Sequence, residues 1–216
     1  MLPFTRRNAA AAIAGPARVI GMEQPVLEGR HVRLEPLTRK HLPALEGLAF
    51  DSRIWRYMLT RVETKKDLED WVEAALKVAA TGTQLPWVTV LRRNRSVVGS
   101  TRFIDLDLHH RTVEIGHTWI APALHAAGVN PEAKLLQLEY AFDTLGLNRV
   151  AFKTHHENLQ SQAAIKKLGA VYEGTFRNHC VMPDGSLRHS VWFSITKEEW
   201  PDVRANLQAR LAADTR

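Results

Sequence analysis

The sequence predicts an α+β domain: a mixed, mostly antiparallel central sheet flanked by helices. Three runs of period-two hydrophobicity follow one another, at Trp87–Leu91, Val97–Ile104 and Val113–Ile120. Short turns at Arg93-Asn94-Arg95 and Asp105–Arg111 separate them, so neighbouring strands run antiparallel. Stretches with helical spacing lie before and after these runs. A strand and a helix then alternate twice over residues 113–168.

In chain order, His31–Leu37 alternates Val32 and Leu34 with polar partners and reads as a strand. Thr38 is suited to cap a helix that reaches about Phe50. Thr64-x-x-Asp67 opens a second helix, in which Leu68, Trp71, Val72, Ala75, Leu76 and Ala79 form one apolar face. After the three strands comes a helix from Pro131 to about Leu145, with Leu135, Leu138, Phe142 and Leu145 as its buried stripe. Asn130 suits its N-cap and Pro131 its first position, where no N–H is needed. A strand at 149–155, a helix at about 159–168, strands at 171–178 and 187–195 around Pro183-Asp184-Gly185, and a helix from Lys197 onward complete the order.

Composition narrows the function. The 216 residues are 45% hydrophobic and 24% charged, which gives ample material for a core. No apolar run approaches the roughly 18 residues of a membrane span. The single cysteine, Cys180, cannot form an internal disulfide and fits a reducing compartment. Arg6, Arg7 and Arg18 carry half of the +6 formal charge, leaving +3 for the rest, too little to argue for nucleic acid. Residues 1–21 read as a basic, flexible extension and 22–216 as the domain, with a cytoplasmic location expected. His109-His110 and His155-His156 are expected to point to opposite sides of a strand, so no metal is expected. Strand edges near the C-terminus leave room for a homodimer.

The segment from Glu114 to Gly174 carries the chemistry. A strand, a tight turn and a helix N-terminus present unpaired N–H groups and a positive dipole end, which suits an anion at residues 126–131. Gly128 permits close approach or positive φ there. Glu114-Ile-Gly-His-Thr-Trp-Ile120 comes first, then His125-Ala-Ala-Gly128-Val-Asn130-x-Glu132-Ala-Lys134-Leu-Leu. Asn158-x-x-Ser161 and Lys167-Leu-Gly169-Ala-x-x-Glu173-Gly174 follow. In this order the four motifs resemble the acetyl-CoA-dependent N-acetyltransferase (GNAT) superfamily over residues 26–200, closest to its branch of ribosomal-protein N-terminal acetyltransferases.

The resemblance implies the acyl-CoA N-acyltransferase fold and acetyl-CoA as co-substrate, with direct transfer to a primary amine, either a protein N-terminus or a small molecule. It implies that His125, Ala126, Ala127, Gly128, Val129 and Asn130 hold the CoA pyrophosphate, with Lys134 adding charge. It also implies that the strand ending at Trp119 and Ile120 splays from the strand at 149–155 and accepts pantetheine along its edge. Asn158 and Ser161 would contact the pantetheine arm. Glu114 and His117 are the candidate bases, on opposite faces by their odd spacing, with Glu114 preferred. Trp55, Tyr57, Trp87 and His117 are candidate walls of the acceptor site. The family usually has Gln or Arg at the position of His125, Gly or Ala at that of Asn130, and a Tyr thiolate acid at that of Ile165; Ser161 or water would replace the last. A CoA-binding module without turnover is the alternative reading.

Overall fold

The computed structural model describes residues 24–124 and 128–213. Eight strands form one sheet: β1 (Leu27–Glu28), β2 (Val32–Pro36), β3 (Leu85–Leu91), β4 (Val97–Asp107), β5 (Thr112–Ile120), β6 (Arg149–His155), β7 (Val171–Val181) and β8 (Leu187–Thr196). Their spatial order is β1-β2-β3-β4-β5-β6-β8-β7. Every pairing is antiparallel except β5 with β6. The helices are α1 (Leu42–Ala49), α2 (Ser52–Trp55), α3 (Lys65–Ala79), α4 (Val129–Glu139), α5 (Leu159–Lys167) and α6 (Trp200–Ala213).

Local chemistry explains the helix boundaries. At the start of α3 the Thr64 hydroxyl accepts from the Asp67 N–H (3.2 Å), and the Asp67 carboxylate accepts from the N–H of Thr64 (2.9 Å). Leu68, Trp71, Val72 and Ala75 then recur at helical spacing and are buried. The helix expected from Thr38 begins as a tight 3-10 turn at Arg39–His41 before α1. Pro43, the second residue of α1, has no N–H to give and crowds the preceding turn. The helix expected to reach Leu145 changes to a wider π turn at Tyr140–Thr144, closed by the Leu145 N–H donating to the Tyr140 carbonyl.

Strand alternation divides the core between the two faces of the sheet. Leu34, Trp87, Phe103, Leu138, Ile165 and Phe193 belong to one cluster, under α4, α5 and α6. Leu45, Trp55, Leu68, Trp71, Val88 and Trp119 belong to the other, under α1–α3. No residue of β6, β7 or β8 belongs to the second cluster. That half of the face is therefore left without an apolar helical roof. At the sheet's edge β7 exposes Val171, Tyr172, Phe176 and Val181, the surface on which the homodimer expectation rests.

Gly99 fixes how closely β4 approaches β5. A Cβ there would fall 2.1 Å from the Trp119 carbonyl oxygen, a backbone atom that cannot rotate away. Gly99→Ala is therefore expected to destabilise the fold by about 1–3 kcal/mol, measured by denaturant unfolding. An unchanged midpoint would show that β5 moves freely at this point.

Candidate active site

The site begins where the sheet divides. β5 and β6 pair only over Thr112–Glu114 and Arg149–Ala151. Beyond that, β6 continues against β8 and β5 against β4. From Ile115 to Trp119 the edge of β5 facing β6 has no strand partner among the described residues, which matches the expected splay. A β-bulge coincides with the divergence: Arg102 pairs with Gly116 and Ser100 with Trp119, so Thr101 faces two residues of β5. His117 takes positive φ (46°) there, and the extra residue bends the strand.

The bulge also resets the alternation of side chains. Val113 and Ile115 lie in the core under α4, as does Ile120, while Trp119 lies in the core under α3. Parity thus flips between Ile115 and Trp119. Glu114 and His117, expected on opposite faces, come to the same one, where both feel the charges of Lys153 and Arg188. Sequence spacing misassigned the pair because a bulge breaks period two.

Glu114 stands at the crotch of the fork, 5% exposed. Lys153, two residues past its parallel partner Ala151, lies on the same face with Nζ 3.0 Å from the carboxylate. Burial raises the pKa of Glu114, and the charge and hydrogen bond of Lys153 hold it back. The carboxylate leans over Gly116, where a Cβ would meet its Oε1 at 3.0 Å. His117 is pushed down to about 4, first by burial and then by the charges of Arg102, Lys153 and Arg188. It is neutral at pH 7 and a weak base, so Glu114 is the better proton acceptor.

Arg188 donates from Nη1 to the Tyr57 carbonyl (3.2 Å) and from Nε to the Ser190 hydroxyl (3.1 Å). The Tyr57 ring lies 5.2 Å from that of His155 at the end of β6, which places Tyr57 beside this face. The other two aromatic candidates are core residues. Trp87 is fully buried on the opposite face, between Phe103 and Tyr140, with Nε1 donating to the Pro25 carbonyl. Trp55 packs edge-on against Trp71 and beside Trp119, its Nε1 donating to the Ala49 carbonyl. Neither is an exposed wall, because adjacent elements sequester large aromatics.

On the cofactor side, His125, Ala126 and Ala127 lie outside the described residues. Gly128 has φ 70° and is itself the N-cap of α4. The helix starts at Val129, two residues earlier than expected. Asn130 is its second residue and not the cap; its Oδ1 is buried without a partner among the described residues. Left-handed backbone at Gly128 makes the early start possible, and Pro131 still falls in the first turn, where N–H groups lack helical partners. The Lys134 side chain turns into the core. Its Nζ donates to Thr101 and Thr118 (2.9 Å each) and to Gln137 (2.8 Å) inside the core, and burial lowers its pKa to about 7. Its ammonium is thus engaged by core acceptors, against the expectation that it adds charge for the phosphates.

Asn158 caps α5, its Oδ1 accepting from the Ser161 N–H (3.0 Å), so both sit at a helix start beyond β6. Ile165, on α5, is buried in the core. The paired histidines were misjudged in geometry: His155 and His156 stack at 4.4 Å and His109 and His110 meet edge-on at 4.7 Å. Each pair runs into a turn, where strand alternation no longer separates neighbours. Among the described residues no three His, Cys, Asp or Glu side chains are placed to hold a metal ion. Lys153, Arg188 and Arg102 escaped sequence reasoning; strand register and facing direction set their proximity, and neither is written in a local motif.

A fold with a splayed parallel pair, a helix start at one side of it and a buried carboxylate at its base defines an acetyl-CoA-dependent N-acetyltransferase. Residues 31–171 match the model of the acetyltransferase (GNAT) domain, and the chain belongs to that family. YdaF of Bacillus subtilis (strain 168), whose name proposes a ribosomal N-acetyltransferase, is 33% identical over 105 residues. That match covers 49% of this chain and 56% of YdaF. A GCN5-related N-acetyltransferase from Brucella melitensis is 30% identical with a TM-score of 0.81, covering 88% of this chain and 86% of that one. Mycobacterium smegmatis RimJ, solved in complex with CoA-disulfide, shares the fold at 20% identity and a TM-score of 0.77, over 87% of this chain and 95% of that one.

Proposed function

We propose that this chain transfers acetyl from acetyl-CoA directly to a primary amine, a protein N-terminus or a small molecule, in a ternary complex. The unpartnered edge of β5 beside Glu114 carries the reading. Pantetheine adds to that edge as a strand does, through backbone hydrogen bonds. Residues 125–130 take the pyrophosphate, Gly128 allowing close approach and the start of α4 supplying N–H groups. The CoA-disulfide in the RimJ complex is consistent with a cofactor of this kind on this fold.

The amine arrives from the face of Glu114. The carboxylate takes its proton, directly or through water, and the nitrogen lone pair attacks the thioester carbonyl. Collapse of the tetrahedral intermediate breaks the C–S bond, and CoA leaves as a thiolate that Ser161 or water protonates. Asn158 and Ser161 line the pantetheine arm in this reading, and Tyr57 borders the acceptor. The single cysteine and the absence of a helix long and apolar enough to cross a membrane among the described residues agree with a cytoplasmic location.

Calorimetric titration with acetyl-CoA, followed by thiol release across an amine and peptide panel, tests the reading. Saturable binding with turnover supports it; binding with no turnover on any acceptor favours the CoA-binding module. Among the described residues nothing lies within 4 Å of a Cβ built on Gly128, so Gly128→Trp should weaken CoA binding at least about tenfold while the fold persists. The left-handed backbone adds a cost of about 1–2 kcal/mol for any other residue. Unchanged affinity in a folded variant would move the phosphate site elsewhere.

A further inference from the structure

Beside the fork, on the face of Glu114, lies a group of buried polar nitrogens that have no hydrogen-bond partner among the described residues. Arg102 on β4 is 4% exposed. Among the described residues its Nε and Nη2 have no hydrogen-bond partner, and Nη1 reaches the Gln84 side chain at 3.5 Å. No ion pair involving Arg102 is present among the described residues, and its guanidinium lies 4.2 Å above the Trp71 ring. Around it, Trp71 Nε1, Trp119 Nε1 and His117 Nδ1 are likewise buried and unpartnered. The two tryptophan rings are 6.3 Å apart, and His117 feels the charge of Arg102.

Orphaned buried donors are rare in folded proteins, and several in one cluster point to an acceptor atom that belongs there. Arginine and tryptophan have no acceptor to offer one another, and a neutral His117 has one acceptor nitrogen for all of them, so rotation alone leaves most of these donors unmet. A guanidinium buried without a carboxylate is costly and is repaid most fully by an anion bound bidentately. The location is specific. Arg102 pairs across the sheet with Gly116, two residues from Glu114, at the bulge where the fork opens. Two residues of strand span about 6–7 Å, the scale of a small bifunctional molecule. With Lys153 engaged by Glu114, the unneutralised charge on this face is that of Arg102 and Arg188.

We propose that Arg102, with His117, Trp71 and Trp119 around it, anchors a carboxylate of the acceptor, so that the preferred substrate is an amine that also bears a carboxylate. This rests on the acetyl-transfer reading above. Glu114 receives the amine while Arg102 fixes the acid, and a polyamine is repelled by the same charges. The carboxylate can come from a free amino acid or from an acidic side chain near a peptide N-terminus, and the two sources are separable.

The test begins with calorimetry of acetyl-CoA on the full chain, then measures thiol release for three matched sets. These are the α-amino acids and β-alanine against their carboxamides, tetrapeptides with Asp against Asn at the second residue, and spermidine. The acid of a matched pair is expected to be preferred in kcat/KM by roughly tenfold to a hundredfold. The first set responding identifies a free amino acid, the second a peptide. Arg102→Met should erase the preference with acetyl-CoA affinity unchanged, and Arg102→Lys should keep part of it. Amides or spermidine used as well as acids by the wild type would overturn the anchor, even if Arg102→Met fails to fold. So would turnover of other amines with none of any carboxylate-bearing amine, whereas binding of acetyl-CoA with no turnover at all would remove the acetyl-transfer reading. Failure to bind acetyl-CoA would remove that reading too, and in both cases the anchor with it.

Discussion

Glu114→Gln is expected to lower turnover about a hundredfold or more while acetyl-CoA affinity stays within error of the wild type. The substitution keeps the shape of a side chain packed over Gly116 and facing Lys153, and removes only its ability to take a proton. Because burial raises the pKa of Glu114, the acidic limb of the pH–rate profile should lie above the range of an ordinary carboxylate. Activity falls as pH drops through that value, since the base becomes protonated. The glutamine variant should lose this limb along with its rate. A fully active variant would remove Glu114 as the base, and water held in the fork would take the role.

Lys134→Met should flatten the dependence of stability on pH. The lysine is held at about 7 in the fold by complete burial, against 10.5 when exposed. Between those values the unfolded chain binds a proton that the folded chain does not. Stability therefore rises with pH across the window, by about 1.4 kcal/mol per unit from this group, and the contribution is flat below 7. Denaturant unfolding of wild type and variant at several pH values from 7 to 10 measures the difference in slope. The acceptors it leaves behind are not orphaned, because Thr101 already meets Thr118 at 2.8 Å and Gln137 at 3.1 Å. Parallel slopes would mean that Lys134 stays charged, its three acceptors compensating for lost hydration.

Much of the architecture was legible because local periodicity encodes it. Thr64-x-x-Asp67 gave the start of α3, and the alternation in Val113–Ile120 gave β5. The motif order pointed to the family, and Gly128 to a left-handed turn. Legibility failed where a side chain's direction depends on a defect or on a distant strand. The bulge at His117 brought it to the face of Glu114 against the expected parity. Gly128 took the cap assigned to Asn130, and Lys134 turned inward to meet β4 and β5. Trp87 and Trp55 were buried by elements far away in sequence.

The sequence by itself determined which segments are helix and strand, their order, and the presence of a carboxylate on the strand before α4, because each is a matter of spacing and capping among near neighbours. Only the tertiary structure decided that β5 and β6 part after Glu114, that Lys153 pairs with it, and that Arg102 is buried with no carboxylate beside it among the described residues. Those facts depend on strand register and sheet bending, which long-range packing fixes and no local pattern records.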